Sequence, residues 1–218
     1  MKRILSYIYP FRLKNYKSAI NGSLELNLVN GKLILDTDNS NYSYGSLQRI
    51  LRFGLKKINL DNKINSILLL GLGGGSVIQT IREEFNSNAL IEAVDIDSEI
   101  IEIALKDFNI NRFENVTIVQ SDANEYLINC QNSFDLIIVD LFIVDTIPIV
   151  FTTPAFIDSL KAHLTVGGKI IYNTMQQTMP TEMLNKIICR FNEGDNFNVK
   201  ILEKVEGTND LIIVEKYC

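Results

Sequence analysis

Two rhythms of apolar residues divide the chain. From about residue 17 to 36, Leu24, Leu26 and Leu28 alternate with polar neighbours, and Lys32 to Leu35 return after Asn30-Gly31. A period of two places alternate side chains on one face of a strand. Asn-Gly suits a hairpin turn in which both central residues take positive φ. Over residues 43–57 the rhythm becomes helical. Leu47, Ile50, Leu51 and Leu55 share a face, with Ser43 placed as a cap.

From Ser66 onward strands and helices alternate. Ile67 to Leu70 and Leu136 to Val139 are continuous apolar runs, as expected of parallel strands buried on both faces. Between them the pattern predicts a helix at Val77–Phe85, a strand at Leu90–Val94 and a helix at Glu99–Asp107. A strand at Val116–Val119 and a short helix at Asn124–Ile128 follow. A helix then begins at Pro154, a residue suited to a first helical turn, and runs to Leu164. Gly167-Gly168 turns the chain into a fifth strand at Lys169–Tyr172. A helix near Glu182–Phe191 and strands near Val199–Leu202 and Leu211–Val214 finish the chain. This alternation predicts an α/β fold of Rossmann-like, doubly wound type, with a mainly parallel sheet of about seven strands. Residues 1–60 read as a small β-hairpin plus helix extension, and residues 61–218 as the nucleotide-binding catalytic domain.

The candidate chemistry sits at strand ends. Gly71-Leu72-Gly73-Gly74-Gly75 follows the first buried strand and opens a helix. Glycines there permit a sharp turn and close approach of a ligand, so Gly71, Gly73 and Gly75 are cofactor-binding candidates. The next strand ends in Val94-Asp95-Ile96-Asp97, where the Asp95 carboxylate is placed to accept from both ribose hydroxyls. Asp97 fits a helix cap better. The third strand ends at Gln120-Ser121-Asp122-Ala123, where the Asp122 carboxylate can accept from the exocyclic amine of an adenine and can also cap the next helix. The fourth ends at Asp140. Ligands bind at such carboxyl ends in open α/β sheets. The glycines fit a GxGxxG dinucleotide motif only loosely, because Ser76 replaces the third glycine. A set of carboxylates instead suits an adenosyl sulfonium, which carries a fixed positive charge.

Composition narrows the partners. The 218 residues carry a formal charge of −5, with acidic and basic residues intermixed, so no basic face for nucleic acid stands out. Lys2, Arg3, Arg12, Lys14 and Lys17 all precede the first acid, Glu25, either as a phosphate or membrane-surface patch or as an edge neutralising nearby acid. Cys130, Cys189 and Cys218 have no metal-ligand spacing and do not form a disulfide framework. His163 is the sole histidine. No apolar run is long enough for a membrane helix and no signal peptide is read, so the expectation is a cytoplasmic protein without metal, nucleic-acid or membrane partners. The loop Leu141–Thr153 is apolar for a surface segment. It can line an acceptor pocket, form a lid, pack in a homodimer, or simply join the core.

These residues carry a resemblance. From about Leu33 to Asn173 the chain resembles the spermidine synthase family of aminopropyltransferases and its synthase-like relatives, which share the S-adenosylmethionine methyltransferase fold. The matching features are the glycine loop, Val94-Asp95-Ile96-Asp97, Asp122-Ala123 and Asp140. The resemblance implies that Asp95 holds the ribose, that Asp122-Ala123 contacts adenine, and that Asp140 is the base that helps an amine attack. Asp140-Leu141-Phe142-Ile143-Val144-Asp145, and Ser43-Tyr44 before the first helix, look most like the synthase-like relatives, making Tyr44 and Asp145 candidate substrate residues. The chain also departs from the family. Gly74 stands where aminopropyltransferases usually carry an Asp, and Ile143 where they carry a second one, with Asp145 displaced by two. Their Tyr-His-Glu run is absent. Three readings stay open: methyl transfer from S-adenosylmethionine to a small-molecule acceptor, aminopropyl transfer from its decarboxylated form, and a non-catalytic adenosyl-binding or scaffold protein.

Overall fold

The computed structural model describes residues 2–37, 41–43, 45–61 and 63–217. After a short helix, α1 (Lys2–Leu5), four strands pair antiparallel in chain order: β1 (Phe11–Ser18), β2 (Gly22–Val29), β3 (Lys32–Thr37) and β4 (Asn41–Ser43). Asn30 and Gly31 both take positive φ at the β2–β3 turn, as the dipeptide predicts. The helix α2 (Ser46–Lys57) leads into the main sheet.

That sheet is built from β5 (Ser66–Leu70), β6 (Leu90–Asp95), β7 (Val116–Gln120), β8 (Phe134–Val139), β9 (Leu164–Met175), β10 (Phe197–Val205) and β11 (Asn209–Lys216). The spatial order is β10-β11-β9-β8-β5-β6-β7. The five strands from β9 to β7 run parallel, and β11 runs antiparallel to both neighbours. The helices are α3 (Ser76–Glu83), α4 (Ser98–Lys106), α5 (Ala123–Asn129), α6 (Pro154–Ala162) and α7 (Thr181–Asn192). The chain leaves β5 toward β6 and β7, then crosses back to β8 and β9. Its reversal point, where ligands bind in such sheets, therefore lies at the end of β5.

The period of two explains the layering. Ile67 and Leu69 of β5 enter one hydrophobic cluster, with Leu24, Leu26 and Leu35 of the first sheet and Leu51 and Leu55 of α2. Leu68 and Leu70 enter the opposite cluster, with Phe156, Leu160 and Phe191. One face of the main sheet is thus covered in part by the N-terminal elements, which share its core.

Three expectations change. The extension is a four-stranded sheet rather than a hairpin, because β1 and β4 add to the pair read from the pattern. Ser43 lies in β4, and α2 starts at Ser46 behind Gly45, whose φ of 63° turns the chain without a side-chain cap. Gly167-Gly168 does not precede β9 but lies within it. Between Phe134 and Leu136 of β8 the pairing passes from Leu164 to Lys169 of β9, so the glycines form a bulge. Two of the five N-terminal cations pair with acid: Lys14 with Asp107, which also accepts from the Tyr16 hydroxyl, and Arg12 with Glu25 at 3.0 Å.

Candidate active site

A cavity of about 530 Å³ opens at the carboxyl ends of β5, β6, β7 and β8. Its hinge is the glycine loop. Gly71, at φ 94°, packs so closely on the backbone of Asp140 that a Cβ there would overlap the Asp140 carbonyl oxygen. Gly75, at φ 81°, would strike Ile110. Gly73 also takes positive φ, and Gly71 and Gly73 line the cavity. The loop is therefore held against β8 by contacts that only glycine permits.

Asp95 ends β6 and lines the cavity, with 8% of its surface exposed. Its Oδ2 accepts the N–H of Leu72 at 2.9 Å and that of Gly73 at 3.4 Å, and Oδ1 accepts the N–H of Asp97 at 3.0 Å. Burial, with a smaller push from the nearby charge of Asp97, raises its pKa to about 6 despite those three bonds. A carboxylate offers about four lone-pair sites. Three are engaged by backbone, which leaves about one for a ligand, fewer than the two ribose contacts expected from the sequence.

Asp122 caps α5, its Oδ1 accepting from Asn124 at 2.8 Å and Glu125 at 3.1 Å. It lines the cavity beside Ser121 and Ala123. Capping and ligand contact are compatible, since only Oδ1 is used. Asp97 caps α4 through Glu99 and is buried, as its position suggested. Asp97 also accepts from Ser18 and, at 2.7 Å, from Asn21 Nδ2, tying the β1–β2 turn to the sheet.

Asp140 directly follows β8, half-buried at the cavity wall. Its main-chain N–H donates to Leu70 at 2.8 Å, and its Oδ1 accepts from Asn173 Nδ2 at 2.9 Å. Burial pushes its pKa up to about 6; Asn173 opposes this and the charge of Asp95 adds to it. Asn173 in turn accepts from Asn209 Nδ2 at 2.9 Å, and Asn209 Oδ1 accepts from the Thr208 hydroxyl at 2.7 Å. Asn173 and Asn209 are fully buried. Three strands therefore support one carboxyl group through a line of amides.

The loop after β8 serves both core and cavity. Ile147 and Phe151 join the hydrophobic core, while Phe142, Ile143 and Val150 line the cavity. Asp145 lies at the tip of a tight turn in which Ile143 and Thr146 exchange backbone hydrogen bonds. Val144 takes φ 61° there, a costly conformation for a β-branched residue. Asp145 lines the cavity and its carbonyl accepts from Thr178 at 2.6 Å. Tyr44 lies outside the described residues. Leu47 and Ile50 of α2 face the cavity nearby.

Sequence reasoning missed Asn21, Asn173 and Asn209. Asn21 lines the cavity, is 5% exposed, and its Oδ1 has no hydrogen-bond partner among the described residues. Asn173 left a readable trace, a polar residue directly after the apolar run of β9. Among the described residues the cavity lining contains four aspartates and no Lys, Arg or His, and no group of three or more His, Cys, Asp or Glu could hold a metal. Such a cavity stabilises positive charge.

A family model described as "Methyltransferase domain" matches residues 61–210. The chain belongs to the methyltransferase domain family. It is 28% identical over 127 residues to a polyamine aminopropyltransferase of Vibrio vulnificus, covering 57% of this chain and 42% of that protein. It is 26% identical over 114 residues to a probable polyamine aminopropyl transferase of Bifidobacterium longum, covering 52% and 25%. This methyltransferase-domain chain therefore matches less than half the length of either curated relative. A crystal structure of a probable spermidine synthase from Corynebacterium glutamicum superposes with a TM-score of 0.70 at 18% identity, over 93% of this chain and 79% of that one. Residues 61–210, matched by the family model, include the glycine loop, Asp95, Asp122 and Asp140.

Proposed function

We propose that the chain binds S-adenosylmethionine and transfers its methyl group to a small-molecule acceptor. The observation that carries this reading is the line of Asp95, Asp122 and Asp140 around the glycine loop, in a cavity lined by no cation among the described residues. Asp95 ends β6 and Asp140 directly follows β8, the strands on either side of β5, which usual strand spacing sets about 10 Å apart. Ribose and adenine would lie on the β6–β7 side. The sulfonium would then lie over the loop, between two carboxyl groups whose charge favours it.

The reaction is an in-line displacement, for which the protein supplies alignment and electrostatics. Asp140 would orient the nucleophile and take its proton. Asn173 holds the carboxyl in place, and Asn209 keeps the Asn173 amide turned so that its N–H₂ donates. The second reading is aminopropyl transfer from the decarboxylated cofactor, favoured by the names of the two curated relatives. Against it stands Gly74, which offers no carboxylate to an aminopropyl ammonium. Calorimetry with S-adenosylmethionine, its decarboxylated form and methylthioadenosine separates the two. We expect no large preference for the decarboxylated form. A hundredfold preference for it, about 2.7 kcal/mol, would establish the second reading instead.

A further inference from the structure

We propose that the N-terminal knob of the chain, α1 and the residues after it, docks on an anionic lipid surface. The coil of α1 continues past Leu5, since the N–H groups of Ile8 and Tyr9 donate to the Leu5 carbonyl at 3.0 and 3.1 Å. Pro10 ends it, and β1 begins. Polar bonds hook this coil to the β2–β3 turn. Ser6 is buried. Its carbonyl accepts the Asn30 N–H at 2.9 Å, and its Oγ accepts the Gly31 N–H at 2.8 Å while donating to the Arg3 carbonyl at 2.7 Å. The Tyr7 ring lies so close over Gly31 that a Cβ there would meet it.

What the hook holds is apolar and open. No residue of α1 is buried. Ile4, Tyr7, Ile8 and Tyr9 leave 76%, 67%, 86% and 69% of their surfaces exposed. Ile4 and Ile8 are four residues apart, hence on one face of the coil. Fixing apolar side chains in water without covering them stabilises nothing, so the arrangement points to a surface that covers them.

Charge selects that surface. Residues 2–35 contain six Lys and Arg and one acid, Glu25, in a chain of net charge −5. Arg12 is taken up by Glu25 and Lys14 by Asp107. Lys2 and Arg3 on the knob, and Lys32 beside the turn that hooks it, are exposed and make no ion pair among the described residues. Shape narrows the choice further. The isoleucines project, with cations at their base and tyrosines between. Such a tip enters the boundary of headgroups and acyl chains, where the isoleucines reach hydrocarbon and the cations stay among phosphates. Tyrosine suits that boundary, being apolar in its ring and polar at its hydroxyl. Nucleic acid offers its phosphates without hydrocarbon for Ile4 and Ile8. A second copy meeting through the same patch would set cations against cations. The expectation of no membrane partner rested on spanning runs, which a surface contact does not need.

The test is co-sedimentation of the full chain with phosphatidylcholine vesicles, with and without about one-third phosphatidylglycerol, at physiological ionic strength. Binding to the anionic vesicles should be at least about tenfold stronger. Ile4→Ser with Ile8→Ser keeps every charge and should weaken that binding by about tenfold or more, with circular dichroism and adenosyl affinity unchanged. Lys2→Gln, Arg3→Gln and Lys32→Gln together should cut the preference for anionic vesicles to below about threefold. No binding to anionic vesicles, equal binding to both kinds, or binding untouched by the isoleucine substitutions overturns the inference. A dimer in ultracentrifugation that Ile8→Ser abolishes would assign the knob to a second copy and also overturn it.

Discussion

The two sides of the cavity are built by different means. On the β6–β7 side the carboxylates are held by main chain: Asp95 by three backbone N–H groups and Asp122 by two. On the β8–β9 side Asp140 is held by a side-chain amide, which is itself held by another. Backbone donors come with the fold and survive most substitutions nearby. A side-chain line depends on each residue in it. The β6–β7 side therefore depends on the path of the backbone, and the β8–β9 side on particular side chains.

The largest expected effect tests the shared hinge between the two sides. Gly71→Ala forces a Cβ onto the Asp140 carbonyl and places alanine at φ 94°. We expect a loss of about 3 kcal/mol or more in denaturant unfolding, with loss of adenosyl binding. A loss under about 1 kcal/mol would show that the loop is not pressed on β8 as described. Next comes Asp140→Asn, which keeps shape and removes charge. Turnover should fall roughly 10²-fold or more, while adenosyl affinity is retained. Intact turnover in the variant would remove Asp140 from the mechanism. If both turnover and cofactor affinity collapse, the division into two sides is too sharp.

The smallest effect is in pH. Asp95 and Asp140 both have folded-state pKa values raised from 3.8 to about 6, so the empty protein holds protons that the unfolded chain has released between those values. Their ionisation destabilises the empty fold as pH rises from about 4 to 6, and that cost is complete above it. A bound sulfonium favours the ionised carboxyls and expels their protons. Affinity for S-adenosylmethionine should therefore rise between pH 5 and 7, by at most about tenfold per pH unit for each proton released. S-adenosylhomocysteine, without the sulfonium charge, should show a shallower rise. Parallel slopes in a calorimetric pH series would place the sulfonium away from these two groups.

The asymmetry also governed what could be read in advance. β5 and β8 announce themselves as unbroken apolar runs, and Asp95, Asp122 and Asp140 follow because strand ends are local in sequence. By contrast β1 buries only one of its eight residues, Ser18, so it has no apolar alternation to detect. The bulge within β9 reads as a turn in the sequence because Gly167-Gly168 has the same local chemistry in both settings. Asn173 and Asn209 are 36 positions apart, and Asn21 meets Asp97 across 76. No periodicity encodes pairings made through space. The number of backbone bonds at Asp95 is likewise a property of the folded loop.

Asp97 occupies a point where the two sheets are fastened to each other. Its Oδ1 closes the start of α4, while Oδ2 receives Ser18 and Asn21 from the end of β1 and the turn after it, and all three residues are buried. Detaching the β1–β2 turn would break both of those bonds, so the first sheet is pinned to the main sheet at this residue. Because Ile20 and Asn21 also face the cavity, a bound nucleotide would touch both of the joined parts. Each then strengthens the other: the ligand adds to the cohesion between the sheets in proportion to its occupancy, and a chain with its sheets held together is the one prepared to receive it.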